Sequence, residues 1–120
     1  MTRVLVVDDS TLARKILIKS FPKDWNVEVA QLTGGADAVA ACRQEPPEVM
    51  FLDLNMPDVD GYGVLAALQG GAMPKVIVVS ADVQPIARER VLAMGACAMI
   101  RKPATAPELE AALREVGAFG

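Results

Sequence analysis

Five short apolar runs divide the chain, and the segments between them place apolar residues every three or four positions. Runs of about four to eight apolar residues, bounded by polar or turn residues, predict buried strands. Three of the runs are nearly continuous, as in a parallel sheet that is covered on both faces, whereas the second run alternates and predicts an edge strand. The runs are 3–8, 26–31, 49–53, 75–80 and 97–100.

The segments between the runs predict helices with recognisable ends. Segment 10–21 begins at Ser10, which is a favourable N-cap residue. Segment 85–95 has Pro85 in its first turn and Gly95 at its end, and this order of proline and glycine is typical of a helix.

Three further segments complete the set of helices. Segment 35–44 stops before two prolines, and segment 61–71 is the weakest because its early glycines each cost about 1 kcal/mol relative to alanine. The last helix is the clearest, since residues 105–108 have the spacing of a capping box. Apolar residues then follow at helical spacing: Leu109, Ala112, Leu113 and Val116.

Strands that alternate with helices predict an α/β fold, in which helices cover both faces of a parallel sheet. With 120 residues the chain has the usual length of one domain, and we expect a single domain over residues 1–120. Ligands of such doubly wound folds bind at the carboxyl ends of strands where the strand order reverses. In the flavodoxin-like version that point lies between the first and third strands.

Composition narrows the function classes. The chain is 52% hydrophobic and 22% charged, as expected for a globular protein, and its net charge of -3 without a Lys/Arg-rich run argues against direct nucleic-acid binding. No stretch has the length of a signal peptide core or a membrane helix, so we expect a cytoplasmic protein without a membrane partner. Histidine is absent, which removes His-dependent triads and most zinc chemistry. Cys42 and Cys97 form no CxxC pair, and we expect both to be small buried residues.

Polar residues stand at the ends of four predicted strands: Asp8, Asp9, Asp53, Ser80 and Lys102. Two carboxylates about 5 Å apart repel by roughly 3 kcal/mol at an effective dielectric of about 20, so three of them need more than one lysine for compensation. Mg²⁺ binds one or two carboxylates together with a phosphate and keeps several waters. The sequence therefore predicts a magnesium site at this edge of the sheet.

A metal ion and a lysine beside a carboxylate also suit phosphoryl transfer, where catalysis consists largely of positioning and charge neutralisation. Asp53 is the natural nucleophile, because it stands alone at the tip of a central strand and aspartate forms aspartyl phosphates. Asp8 and Asp9 are then left to hold the metal ion. Ser80 is placed to hydrogen-bond a phosphoryl oxygen.

The motifs at these strand ends resemble the response regulator receiver family, the phospho-acceptors of two-component signalling. They occur in the family's order and cover essentially the whole chain: VLVVDDS (4–10), VMFLDLNMPDVDGYGVL (49–65), VIVVSA (76–81) and IRKPAT (100–105). The resemblance implies a flavodoxin-like (βα)5 fold with strand order 2-1-3-4-5. It also implies that Asp53 accepts the phosphoryl group, that Asp9, Asp53 and the main-chain carbonyl of Asn55 hold Mg²⁺, and that Asp8 assists through water.

The resemblance implies further roles and partners. Ser80 and Lys102 would contact the phosphoryl group, the peptide bond before Pro103 would be cis, and Asn55 and Asp82 would tune the lifetime of the phosphorylated state. The donor would be a histidine kinase, a phosphotransfer protein or a small acyl phosphate. A phosphatase and a downstream protein target are the other expected partners, in chemotaxis or another pathway. The protein would catalyse only its own phosphorylation and dephosphorylation.

Two positions depart from the family pattern. Met99 stands where the family usually has an aromatic switch residue, and Ala104 stands where a phenylalanine is common. We expect a softer switch, in which the fourth helix, the fifth strand and the last helix form the output face, with plain core packing as the alternative role of Met99. The basic residues Arg14, Lys15 and Lys19 are expected to form a solvated face of the first helix, or alternatively a kinase-docking surface.

Other function classes fit the residues less well. A haloacid-dehalogenase-type phosphohydrolase also forms an aspartyl phosphate, but its D-x-D-x-T motif is not matched by DLNMP at 53–57. A flavodoxin-like electron carrier needs a first loop that cradles a phosphate, and DDST at 8–11 would repel one. An interaction module that works without phosphorylation remains the alternative, and it is disfavoured because the acidic and phosphate-contacting set is complete.

Overall fold

The computed structural model describes residues 1–120, in which five strands alternate with five helices. The strands are β1 (Thr2–Val7), β2 (Val27–Leu32), β3 (Val49–Leu52), β4 (Lys75–Ser80) and β5 (Ala98–Arg101). The helices are α1 (Thr11–Lys19), α2 (Gly35–Gln44), α3 (Gly61–Ala67), α4 (Pro85–Ala93) and α5 (Ala106–Glu115).

The five strands form one parallel sheet in the order β2-β1-β3-β4-β5, which confirms the predicted flavodoxin-like fold. The strand predicted to lie at an edge, β2, does so, and its side chains alternate between half-buried and exposed over its first four residues. The strand order reverses between β1 and β3. There the main-chain N–H of Asp53 donates to the carbonyl oxygen of Val7 over 3.0 Å, so the ends of the two strands are held side by side.

Each face of the sheet carries its own apolar core, because successive side chains of a strand point to opposite faces. Met50 and Leu52 of β3 join the core under α2, α3 and α4, whereas Val49 and Phe51 join the core under α1 and α5. All four residues of β3 are buried. The central strand is therefore rigidly packed on both sides, and Asp53 follows it directly.

Most helix starts agree with the prediction. The Oγ of Ser10 accepts a hydrogen bond from the N–H of Ala13 over 3.1 Å, which confirms the predicted N-cap of α1. Pro85 lies in the first turn of α4, and α2 has the predicted bounds. The helices α3 and α4 end earlier than predicted, at Ala67 and Ala93, and Gly70 and Gly95 beyond them adopt positive φ angles that favour a turn.

Two local predictions were wrong. Thr105 is the N-cap of α5, but its hydroxyl donates to the carboxylate of Glu108 over 3.0 Å and does not cap the main chain, so the predicted capping box is not formed. Cys97 is exposed because it precedes β5 by one residue, whereas Cys42 is buried in α2 as expected. Burial raises the pKa of the Cys42 thiol above its ordinary value. No helix combines the length and the apolar character needed to cross a bilayer.

Candidate functional site

The structure brings the predicted site residues together at the carboxyl edge of the sheet. Lys102 follows β5, and its Nζ lies 2.6 Å from Oδ2 of Asp8 and 3.2 Å from Oδ1 of Asp53. Asp8, Asp53 and Ser80 are buried, with exposed fractions of 6%, 4% and 0%. Because these residues follow different strands, the parallel topology alone is enough to cluster them.

Asp8 and Asp9 are adjacent in sequence but differ in environment. Asp8 is buried, its N–H donates to the carbonyl of Leu32 over 3.1 Å, and its Oδ1 accepts from the N–H of Ser10 over 2.9 Å. Its other carboxylate oxygen contacts Lys102. Asp9 is exposed at the mouth of the site. The fold therefore tolerates the two charges because each carboxylate oxygen of Asp8 has a donor and Asp9 is exposed to solvent.

Asp8, Asp9 and Asp53 form a cluster in which one carboxylate oxygen of each lies within 4.8 Å of the others. Burial, and after it the charge of Asp8, raises the pKa of the Asp53 carboxyl, although Lys102 and the main-chain N–H of Asn55 act in the opposite direction. Lys102 and the Asn55 N–H thus compensate the charge of the ionised Asp53 incompletely. An all-oxygen donor set with uncompensated negative charge fits a hard divalent ion such as Mg²⁺.

Lys102 is held as a cation by its two carboxylate partners. Burial alone would lower the pKa of its ammonium group, but the hydrogen bond to Asp8 and the charges of Asp53 and Asp8 outweigh burial, and the pKa is raised. The peptide bond between Lys102 and Pro103 is cis, as the family resemblance predicts. A protonated lysine at this place can bind a phosphoryl oxygen once one is present.

Ser80 is the last residue of β4, and Asp82 lies on the loop that follows this strand. The Oγ of Ser80 accepts a hydrogen bond from the N–H of Asp82 over 3.1 Å, so its hydroxyl proton remains free to point at another acceptor. The Oδ1 of Asp82 accepts from the N–H of Gln84 over 3.1 Å, and Asp82 itself is exposed. Asn55 is exposed on the neighbouring loop after β3. The two residues expected to tune lifetime are therefore accessible to solvent.

The loop between Asp53 and α3 is tightly folded, which the sequence did not reveal. A Cβ on Gly61 would lie 2.5 Å from the carbonyl oxygen of Asp53, so only glycine fits there, and the Gly61 N–H donates to the carbonyl of Leu54 over 3.0 Å. Asp60 caps α3 through the N–H of Gly63 over 2.8 Å. The sequence suggested only a general loop role for Gly61, whereas the structure requires glycine there because the residue packs against the main chain of Asp53.

Two predictions about flanking residues are modified by the structure. Arg14 is 8% exposed and was wrongly placed on a solvated face, because its guanidinium reaches across to β2 and to the end of β1. Lys15 and Lys19 are exposed as predicted. Met99 is 5% exposed and packs in the core under α2, α3 and α4.

A cavity of about 380 Å³ opens between α1 and the loop after β5, and it is continuous with the acidic cluster. Its walls are mostly apolar and include Leu12 and Ile16 of α1, Phe51 and Val79 of the sheet, and Ala104. Ala104 is the position where the family commonly has phenylalanine. The small side chain of Ala104 therefore lies at a cavity whose volume is in the range of small-molecule binding sites.

The comparisons with known proteins show the family and the fold. The family model of the response regulator receiver domain matches residues 4–114, and the chain belongs to that family. The fold also matches the response regulator domain of Thermotoga maritima CheB, with a TM-score of 0.83, 29% identity and coverage of 96% of this chain and 95% of that one.

Two curated relatives contain a similar domain within longer proteins. A protein-glutamate methylesterase/protein-glutamine glutaminase from Anaeromyxobacter dehalogenans is 36% identical over 108 residues, which cover 89% of this chain and 32% of the relative. The transcriptional regulatory protein KdpE from Mycobacterium tuberculosis is 36% identical over 115 residues, which cover 95% of this chain and 50% of the relative. The chain thus spans half or less of the length of these proteins.

Proposed function

We propose that this chain is the phospho-acceptor of a two-component or chemotaxis-type pathway and that Asp53 receives the phosphoryl group. The observation that carries this proposal is the contact of buried Asp53 with Lys102, beside a cluster of three carboxylates that fits Mg²⁺. Asp9, Asp53 and the main-chain carbonyl of Asn55 would hold the ion, and Asp8 would assist through water. Family membership supports the same assignment.

In the transfer step a carboxylate oxygen of Asp53 attacks the phosphorus atom, and the bond from phosphorus to the donor's nitrogen or oxygen breaks with its electron pair leaving on the donor. Mg²⁺, when bound, neutralises charge on the transferred group. Lys102 is placed to leave Asp53 and bind a phosphoryl oxygen, and the Ser80 hydroxyl donates to another. Both are charge-assisted hydrogen bonds, which are among the stronger ones.

In dephosphorylation a water molecule attacks the same phosphorus atom, the bond from phosphorus to the Asp53 oxygen breaks, and inorganic phosphate and a proton are released while Asp53 returns to the carboxylate. Asn55 and Asp82 would flank the approach of this water, and their exposure on the loops after β3 and β4 supports this role. The chain would catalyse only these two reactions on itself. The methylesterase activity of longer relatives is a property of those proteins and is not part of this proposal.

The phosphoryl donor would be a histidine kinase, a phosphotransfer protein or a small acyl phosphate, and a phosphatase and a downstream protein would be the further partners. We propose a cytoplasmic location and no direct contact with nucleic acid or membrane. The output face would consist of α4, β5 and α5, and the exposed Lys15 and Lys19 of α1 would contribute to docking of the donor.

The test is phosphorylation with radiolabelled acetyl phosphate in the presence of Mg²⁺. We expect the parent protein to be labelled and Asp53→Asn to remain unlabelled, with intact mass as a second readout. Asp58→Asn is the matched control, because Asp58 is exposed on the same loop and asparagine tolerates its φ of 67°. A parent protein that takes no label would favour an interaction module that works without phosphorylation.

A further inference from the structure

Arg14 is the buried charged side chain that the proposed reaction does not use. Its guanidinium donates three hydrogen bonds: from Nη1 to the main-chain carbonyl of Asp8 over 2.6 Å, from Nε to Oε1 of Gln31 over 2.9 Å, and from Nη2 to Oγ1 of Thr11 over 3.2 Å. The side chain is 8% exposed and lines the cavity beside the acidic cluster. It thus joins α1, the edge strand β2 and the end of β1.

The partners of Arg14 are unusual for a buried guanidinium, which normally pairs with a carboxylate. All three acceptors are neutral oxygens, and none of the ion pairs of the structure includes Arg14. The planar fork therefore fixes the position of a main-chain carbonyl instead of neutralising a particular side chain. This use depends on the geometry of the guanidinium as much as on its charge.

The carbonyl that Arg14 holds belongs to the peptide plane between Asp8 and Asp9. The peptide plane includes the nitrogen and the Cα of Asp9, so its orientation fixes the position of both atoms. The direction of the exposed Asp9 carboxylate depends on that position. The preceding peptide plane, between Val7 and Asp8, is also fixed, because the N–H of Asp8 donates to the carbonyl of Leu32 in β2. The Asp8–Asp9 segment is thus anchored to β2 twice, once directly and once through Arg14 and Gln31.

We propose that Arg14 is a positioning residue of the metal site, which holds the Asp8–Asp9 peptide so that the Asp9 carboxylate faces Asp53 before Mg²⁺ arrives. Gln31 acts through Arg14 by fixing its Nε. This inference rests on the proposed Mg²⁺ site and adds to it two residues that do not themselves contact the ion. Partners that orient metal ligands change metal affinity by about 10- to 100-fold when they are removed.

The sign of the effect separates positioning from simple electrostatics. A positive charge close to the cluster repels Mg²⁺, so if Arg14 acted only as a charge, its removal would tighten Mg²⁺ binding, and a lysine in its place would leave binding unchanged. If Arg14 positions the peptide, replacement by lysine and replacement by the neutral methionine should both weaken Mg²⁺ binding. Neither side chain has the planar set of N–H donors that a guanidinium has.

The experiment is a calorimetric Mg²⁺ titration of the unphosphorylated protein, with amide chemical shifts of Asp9 and Ser10 as a second readout. We expect Arg14→Lys and Arg14→Met to raise the Kd about tenfold, at the low end of the range for such partners, and to shift both amides. Gln31→Leu should raise the Kd by less. Lys23→Met is the matched control, since it removes an exposed positive charge from the segment that follows α1 and should leave the Kd unchanged.

Circular dichroism and urea unfolding establish that each variant is folded. Gln31 is exposed at an edge strand, so Gln31→Leu keeps the test decisive if an Arg14 variant does not fold. An unchanged Kd for Arg14→Lys and Gln31→Leu, or tighter binding by Arg14→Met, overturns the positioning role while the metal site stands. An unchanged titration of Asp9→Ala overturns the metal site itself and this inference with it.

Discussion

Arg88 of α4 donates a hydrogen bond from Nη1 to the main-chain carbonyl of Met99 in β5 over 3.3 Å. The residues of α4 that are buried are only Ala87 and Val91, so the helix has a small apolar anchor. The polar contact therefore ties a weakly packed helix to the strand that carries the switch position. A displacement of α4 away from β5 would break this contact.

The first prediction concerns the output face, formed by α4, β5 and α5. Binding of beryllofluoride with Mg²⁺ should draw the Ser80 hydroxyl toward the new acceptor, through a hydrogen bond worth roughly 1.5 to 3 kcal/mol, and should pull the loop before α4. Because methionine adopts many rotamers, we expect a modest population shift across the output face instead of a single locked state. Amide chemical shifts, recorded as beryllofluoride is added, measure this population shift. In Met99→Tyr we expect larger shifts of the output-face amides and a change that is closer to two-state.

Arg88→Glu should loosen α4 without any phosphoryl mimic, because a carboxylate is repelled by the Met99 carbonyl. Arg43→Glu is the matched control, since Arg43 also donates to a main-chain carbonyl, that of Ala67, over 3.3 Å, but lies on α2 away from the output face. If beryllofluoride leaves the amides of the output face unmoved in the parent protein, this output model is wrong, while Asp53 remains the proposed acceptor.

The second prediction is that Asp53→Asn stabilises the metal-free protein at neutral pH. The pKa of the Asp53 carboxyl is raised in the folded state, so the folded protein binds this proton more tightly than the unfolded chain does. Stability then falls as the pH rises from the unfolded value of 3.8 through the folded pKa. We expect a gain of about 1 to 2 kcal/mol for asparagine at pH 7, as for removal of a poorly compensated buried charge, and a smaller difference below pH 3.8.

Urea unfolding with and without Mg²⁺ checks this prediction. Saturating Mg²⁺ at about 100 times its Kd should stabilise the parent protein by about 2.7 kcal/mol and should stabilise Asp53→Asn much less. The stability advantage of Asp53→Asn over the parent protein should therefore become smaller, or change sign, when Mg²⁺ is added. Equal stability of the two proteins at pH 7 without Mg²⁺ would contradict the assignment of an uncompensated charge to Asp53.

The fold and the site cluster were predictable because the signals are local. A buried parallel strand needs only a continuous apolar run, and the residue after such a run must lie at the carboxyl edge of the sheet, as Asp53 and Lys102 do. The apolar spacing after Thr105 likewise placed α5 correctly, with Leu109 and Leu113 buried. Nothing beyond strand order is needed to bring these polar residues together.

Some of the predictions failed because they depend on contacts that the local pattern of residues does not show. Arg14 has the spacing of a surface residue beside Lys15, and its burial depends on acceptors that the helical pattern does not show, among them Gln31, 17 residues away. The need for glycine at position 61 arises from the path of the Asp53 carbonyl, which no local pattern encodes. Cys97 is exposed because β5 begins one residue later than the apolar run suggests.

The third prediction is that Asp82→Lys slows dephosphorylation and leaves phosphorylation intact. Asp82 is exposed two residues after Ser80, so a lysine there can pair with a phosphoryl oxygen and obstruct the attacking water. An exposed ion pair is worth up to about 1 kcal/mol, which corresponds to a decay rate up to about fivefold slower. Decay of the labelled protein after removal of the donor measures the rate.

Asp82→Asn is the control, because it keeps an acceptor for the Gln84 N–H and separates loss of the negative charge from gain of the positive one. Decay of Asp82→Lys at the rate of the parent protein would contradict the prediction.

The last prediction is that Ala104→Phe stabilises the protein by filling the cavity between α1 and the loop after β5. Ala104 is 6% exposed and lines that cavity of about 380 Å³ together with Phe51 and Leu17, so a phenyl ring has space and apolar neighbours. Full burial of such a side chain contributes about 1.5 to 3 kcal/mol, of which we expect about 1 to 2 kcal/mol to remain after the loss of rotamer freedom.

Ala112→Phe is the matched control for the filled cavity. Ala112 is 7% exposed in the same apolar core but does not line the cavity, so a ring there must displace its neighbours and should cost about 1 to 3 kcal/mol. Urea unfolding of both variants gives the comparison, and labelling by acetyl phosphate reports whether Asp53 is still accessible. Destabilisation of equal size in the two variants would mean that the cavity does not accept a side chain and that the small residue at position 104 is required by the fold.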